Sequence, residues 1–92
     1  MIAVIATASL YWAKILDIAE RYMEDLEPFS QDLACLERYT FWRGINGKKV
    51  LLIGSFEDVQ GELMVNIEDI VTGHIGDVNA QRFLDHYRRI RK

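Results

Sequence analysis

The spacing of apolar and polar residues changes period several times along the chain, and each change marks an element. Residues 1–13 carry no charge, and the β-branched Ile2, Val4 and Ile5 predict a buried strand over residues 2–8. From Ser9 the spacing becomes helical. Trp12, Ile15, Leu16, Ala19, Tyr22, Met23 and Leu26 fall on one side, and Lys14, Asp17, Glu20, Arg21, Glu24 and Asp25 on the other. Ser9 is the expected N-cap of this amphipathic helix, and Pro28, which lacks an amide proton, ends it. After a connector over residues 27–33, Leu36–Arg43 and Lys48–Phe56 are rich in aromatic and β-branched residues and flank Asn46-Gly47. That pattern predicts a β-hairpin closed by a type I′ turn, in which both turn residues adopt positive φ.

Residues 57–73 fit two periods. Leu63, Val65 and Ile67 alternate as in a strand, while Val59, Leu63, Ile67, Ile70 and Val71 share a helix face. Gly61, the repulsion of Asp58 and Glu62 at four-residue spacing, and the β-branched content favour the strand. Asp77 is then expected to cap a last helix with Val78, Phe83, Leu84, Tyr87 and Ile90 as its apolar stripe. Arg88, Arg89, Arg91 and Lys92 would crowd its final turn, where the helix dipole favours cations. The expectation is one α+β domain over residues 1–92, in the order β-α-β-β-β-α. Its sheet is mainly antiparallel, with the helices packed on one face.

Composition narrows the function. The chain has 92 residues, of which 50% are hydrophobic, with ten aromatic side chains, so it can bury one core and is not intrinsically disordered. The single cysteine, Cys35, excludes an internal disulfide and a multi-cysteine zinc site, which fits a reducing, cytoplasmic compartment. Lys14 and Asp17 interrupt the apolar N-terminus well short of the roughly 20 residues of a membrane span, and no basic residue precedes it as a signal peptide would require. Catalytic and cofactor motifs are missing. His74 and His86 lie twelve apart without HxxxH or HExxH spacing, Cys35 has no adjacent base, and the six glycines form neither GxGxxG nor GxxxxGKS. No metal, cofactor or catalytic residue is expected, and the chain is read as leaning away from enzyme activity.

Charge is distributed unevenly. The net charge is −3, which disfavours direct binding to a phosphate backbone. Residues 50–81 contain no Lys or Arg but hold Glu57, Asp58, Glu62, Glu68, Asp69 and Asp77, whereas the last eleven residues hold Arg82, Arg88, Arg89, Arg91 and Lys92 against Asp85 alone. Acidic surfaces attract basic partners, and a terminal arginine cluster attracts acidic ones. Glu57, Asp58, Glu62, Glu68 and Asp69 are therefore one candidate partner surface. Arg82, Arg88, Arg89 and Arg91 form a second, with Trp42 and Arg43 beside the hairpin turn as an interface anchor. The competing expectation is that the basic helix folds over the acidic strands and neutralises them through weak surface pairs.

Two family resemblances bear on these readings. Met1-Ile-Ala-Val-Ile-Ala-Thr7, the following helix and Ala34-Cys-Leu-Glu-Arg-Tyr-Thr-Phe-Trp-Arg43 resemble the start of the antibiotic-biosynthesis-monooxygenase group of dimeric α+β barrels, over residues 1–60. That resemblance implies a homodimer with a small-molecule pocket, lined here by Trp12, Tyr39 and Phe41, and cofactor-independent monooxygenase-like chemistry. The α-β-β-β-α order is also similar to the double-stranded-RNA-binding domain, but Asp77-Val-Asn-Ala-Gln-Arg82 stands where that family places a lysine cluster. The leading expectation is a small non-catalytic inhibitor that acts through protein–protein contacts. In size and acidity it is similar to phage anti-defence proteins, including anti-CRISPRs, and to bacterial immunity proteins. It would block a basic nucleic-acid-binding surface of a larger protein or nucleoprotein complex, as a monomer or a homodimer and without membrane association.

Overall fold

The computed structural model describes Ile15 and residues 24–91. The strand expected over residues 2–8, the Ser9 cap and most of the first helix lie outside the described residues. Five strands and one α-helix follow: β1 (Thr40–Gly44), β2 (Lys49–Glu57), β3 (Leu63–Asp69), β4 (Ile75–Asn79), α1 (Ala80–His86) and β5 (Tyr87–Arg89). They make one antiparallel sheet in the order β4-β3-β2-β1-β5. Residues 24–27 are extended rather than the end of a helix. Leu26 bridges Ile90, the Glu27 amide donates to the Arg89 carbonyl at 2.8 Å, and the Arg91 amide donates to the Asp25 carbonyl at 2.7 Å.

Directly opposed residues of an antiparallel pair share a face, so the register sorts the sheet. Trp42 faces Val50, Leu52 faces Ile67, and Val65 faces Val78. This face is sealed by α1, whose Ala80, Phe83 and Leu84 complete the buried core. The Phe83 ring meets Trp42 edge-on at 4.9 Å and stacks on Tyr87 at 4.6 Å. A β-bulge between Leu52 and Gly54 shifts the β2–β3 register and lets the hairpin bend.

The turns are built alike. The Gly47 amide donates to the Gly44 carbonyl at 2.9 Å and the Gly44 amide to the Lys48 carbonyl at 2.8 Å, closing a three-residue loop over Ile45, Asn46 and Gly47. Only Gly47 takes positive φ, at 84°, and Asn46 does not. The expected two-residue type I′ turn is thus a type I turn completed by a left-handed glycine. Gly61, at φ 80°, closes the β2–β3 loop in the same way.

The C-terminal expectation needs correction. Asp77 lies on β4, Asn79 is the true cap, and its side chain accepts from the Gln81 and Arg82 amides at 2.9 and 3.1 Å. The helix stops at His86, and Tyr87–Arg89 pair with β1 instead of continuing the stripe. Gly44 explains the switch. Tyr87 sits opposite it, and a Cβ there would lie 2.8 Å from the Tyr87 ring, so this missing side chain makes room for β5. The first hairpin strand also starts late, at Thr40 rather than Leu36, because Tyr39 adopts φ 63° and breaks the extended run.

Candidate functional site

Sheet order converts the charge asymmetry of the sequence into an asymmetry of surface. The acidic residues ride on the β2–β3–β4 side, and the arginines of the C-terminal segment lie at the β5 edge. About three strand spacings, some 15 Å, separate β3 from β5, beyond the Debye length of about 8 Å at physiological salt. The acids of β3 and the arginines of β5 are therefore not direct partners.

The arginines find other partners. Arg89 Nη1 pairs with Glu37 at 3.3 Å and Arg91 Nη1 with Asp25 at 3.2 Å. Arg88 donates to the Glu27 and Leu26 carbonyls and lies over the Phe29 ring at 5.7 Å. These contacts tie the connector to β5 and leave the acidic strands alone, whereas the sequence allowed the basic segment to cover them. Arg82 projects from the exposed side of α1.

The five acidic candidates divide by position and by role. Glu57, Asp58 and Glu62 surround the β2–β3 turn, and Glu68 and Asp69 sit at the other end of β3, about 20 Å away along the strand. Two of them hold turns together. Asp58 Oδ1 accepts from the Gln60 and Glu62 amides, each at 2.9 Å, and Asp69 Oδ1 accepts from the Val71 and Thr72 amides at 2.9 and 3.2 Å. Asp69 also lies 3.9 Å from the Lys48 ammonium. Glu57, Glu62 and Glu68 make no ion pair among the described residues. The Glu62 carboxylate accepts from Asn79 Nδ2 at 3.4 Å. At the turn between these acids Val59 is fully exposed, so the loop offers an apolar tip inside an acidic rim.

Trp42 and Arg43 do not form an exposed anchor. Trp42 is 2% exposed, within the core. Arg43 is 6% exposed and points to the opposite face, where its guanidinium engages Glu24 Oε1 through Nε and Nη2 and the Gly47 carbonyl through Nη1. Burial on this scale comes from Phe83 and Glu24, residues distant in the chain, and no local pattern reveals it. Cys35 is half-buried against the core, its Sγ 3.7 Å from Ser30 Oγ. His74 and His86 are exposed. Among the described residues no group of three or more His, Cys, Asp or Glu side chains is placed to hold a metal ion, and no helix is long and apolar enough to cross a membrane.

Tyr39 and Phe41, expected to line an internal pocket with Trp12, border an open groove with Arg89 and Arg91. Trp12 lies outside the described residues. The sequence points to Arg89 and Arg91 as part of a basic surface but, by placing them on a helix, does not bring them beside Tyr39 and Phe41. Their alternation with Ile90 was the available strand signal. Compared with known proteins, the chain matches no family model, no curated protein and no solved structure.

Proposed function

We propose that the protein is a non-catalytic binding protein that covers a basic, nucleic-acid-binding surface of a larger protein in the cytoplasm, with its acidic β2–β3–β4 side as the contact face. The observation that carries this reading is that Glu57, Glu62 and Glu68 make no ion pair among the described residues, while Arg88, Arg89 and Arg91 are engaged at the far edge by Glu37, Asp25 and backbone carbonyls. Glu57 and Glu62 are exposed at the β2–β3 turn, and Glu68 is half-buried on the other face of β3; carboxylates at such positions present negative charge much as a phosphate backbone does, and such complementarity raises association rate and specificity. The exposed Val59 adds an apolar contact at the turn. In this reading Asp58 and Asp69 shape the surface by fixing its turns, and Glu57, Glu62 and Glu68 meet the partner.

A displacement assay tests the proposal. Proteins of the native host lysate are retained on duplex DNA resin at low salt, and the purified protein is passed over it. A discrete set of nucleic-acid-binding proteins is released by the wild type and left on the resin by the Glu57→Lys/Glu62→Lys/Glu68→Lys variant. Equal release by both, with the variant folded, would refute the role of these carboxylates. No release by the wild type would refute the competition with nucleic acid.

A further inference from the structure

At the basic edge of the sheet, Tyr39, Phe41, Arg89, Ile90, Arg91 and Glu27 line a groove of about 370 Å³. We propose that this groove binds a small aromatic carboxylate, its ring held between Tyr39 and Phe41 and its carboxylate by Arg89 and Arg91. The proposal is independent of the acidic face.

Three observations carry it. The first is the chemistry of the walls. Tyr39 and Phe41 both expose their rings, and Arg89 and Arg91 lie two residues apart on the same extended segment. Each arginine commits only Nη1 to a protein carboxylate, leaving Nε and Nη2 without a side-chain acceptor among the described residues. The carboxylates they meet, Glu37 and Asp25, are 64% and 65% exposed, so these pairs are weak and exchangeable. A guanidinium presents its donors in a fork that matches a carboxylate.

The second is strain. Tyr39 is the one non-glycine residue with positive φ among those described, a conformation that costs free energy and persists only when its surroundings enforce it. They do so here. The Tyr39 amide donates to the Leu52 carbonyl at 2.7 Å, and Arg38 lies 5.0 Å above the ring while its Nη2 donates to the Tyr39 hydroxyl at 3.0 Å and its Nε to the Ile53 carbonyl at 3.0 Å. The ring so fixed is 63% exposed and contributes little to the core. Strain that aims an exposed aromatic side chain into a groove is explained by what the groove receives.

The third is charge balance and size. Glu37 and Asp25 already match the charges of Arg89 and Arg91, and Glu27 adds a further negative charge at the wall, so a monoanion that exchanges for one of these carboxylates is tolerated better than a phosphate dianion. The volume lies at the small end of ligand sites, enough for one substituted ring.

The test is a titration of the ¹⁵N-labelled full chain with phenylacetate, followed by amide shifts. Parallel titrations use the neutral phenylacetamide, the non-aromatic cyclohexylacetate and phenyl phosphate. Phenylacetate is expected to bind with Kd of about 1 mM or below, a value suited to so small a ligand, with saturable shifts confined to residues 26–27, 38–41 and 88–91. The amide, cyclohexylacetate and phenyl phosphate are each expected to bind at least about tenfold more weakly, the loss that follows from one good charged or aromatic contact. Tyr39→Gly and Arg91→Gln, both at exposed positions and checked for a native spectrum, should weaken phenylacetate by a similar factor, while Arg82→Gln on α1 should not change it. Equal binding of acid and amide, shifts centred elsewhere, or no saturable shift would overturn the proposal.

Discussion

The core can be tested at one hydrogen-bond relay, Trp42–Thr40–Glu37. Trp42 Nε1 donates to Thr40 Oγ1 at 2.9 Å, and the same hydroxyl donates to the Glu37 carbonyl at 2.6 Å. Both side chains are buried, so the indole N–H has no water to turn to if Thr40 loses its oxygen. Thr40→Val keeps the shape and removes both bonds. A neutral buried hydrogen bond contributes about 1 kcal/mol, and a buried donor left without an acceptor costs about 1–3 kcal/mol, so the substitution is expected to cost about 2–3 kcal/mol. Thr40→Ser keeps the hydroxyl and loses one methyl, which costs about 0.8 kcal/mol. For a domain this size 1 kcal/mol moves Tm by about 4–8 °C, so Thr40→Val should melt at least 8 °C lower, and Thr40→Ser only a few degrees lower. Urea unfolding followed by tryptophan fluorescence measures both. Adding Trp42→Phe completes a double-mutant cycle, with an expected coupling of about 1 kcal/mol between positions 40 and 42. A Thr40→Val protein as stable as wild type, or a coupling near zero, would refute the relay.

Three further outcomes follow from the backbone and the turns. Gly44→Ala should cost about 1–3 kcal/mol in denaturant unfolding, because its Cβ would lie 2.5 Å from Asn46 Oδ1 and 2.8 Å from the Tyr87 ring. At position 39 glycine should be more stable than alanine by about 0.5–1 kcal/mol, the reverse of the order at an ordinary strand position, because only glycine adopts φ 63° without strain. Comparing Tyr39→Gly with Tyr39→Ala in the same urea assay cancels the loss of the ring. Asp58→Ala should cost about 1–2 kcal/mol by removing the acceptor of two turn amides, while Glu57→Ala, one residue away and exposed, should change stability by less than about 0.5 kcal/mol.

The parts of the fold visible in the sequence are those set by neighbouring residues. Val50 and Leu52 alternate inward on β2, and Asn46-Gly47 marked the first hairpin loop, although the loop took three residues with only Gly47 left-handed. Leu63, Val65 and Ile67 resolved the two competing periods in favour of β3. What the pattern concealed depends on distant partners. Asp77 and Val78 read as the cap and first stripe residue of a helix because the alternation of Ile75, Asp77 and Asn79 with Gly76 and Val78 leaves one side without bulk, and only pairing with β3 makes Ile75–Asn79 a strand. Tyr87 and Ile90 fit a helical stripe as well as a strand, and the free edge of β1 beside Gly44 decided between them. The candidate surfaces divide in the same way. The gap in positive charge over residues 50–81 was plain in the sequence, but that the arginines turn to Asp25 and Glu37, and that Arg43 is buried against Glu24, follows from folding alone.

Glu57, Glu62 and Glu68 are proposed to meet a basic, nucleic-acid-handling partner. The most direct measurement is parallel capture from native host lysate by the tagged protein and by its Glu57→Lys/Glu62→Lys/Glu68→Lys variant, at low salt and at about 0.3 M, where screening shortens the reach of exposed charges to a few ångströms. A nucleic-acid-binding protein or complex is expected to be captured by the wild type at low salt, largely lost at the higher salt, and missing from the variant. Capture of the same proteins by wild type and folded variant, insensitive to salt, would contradict the proposal.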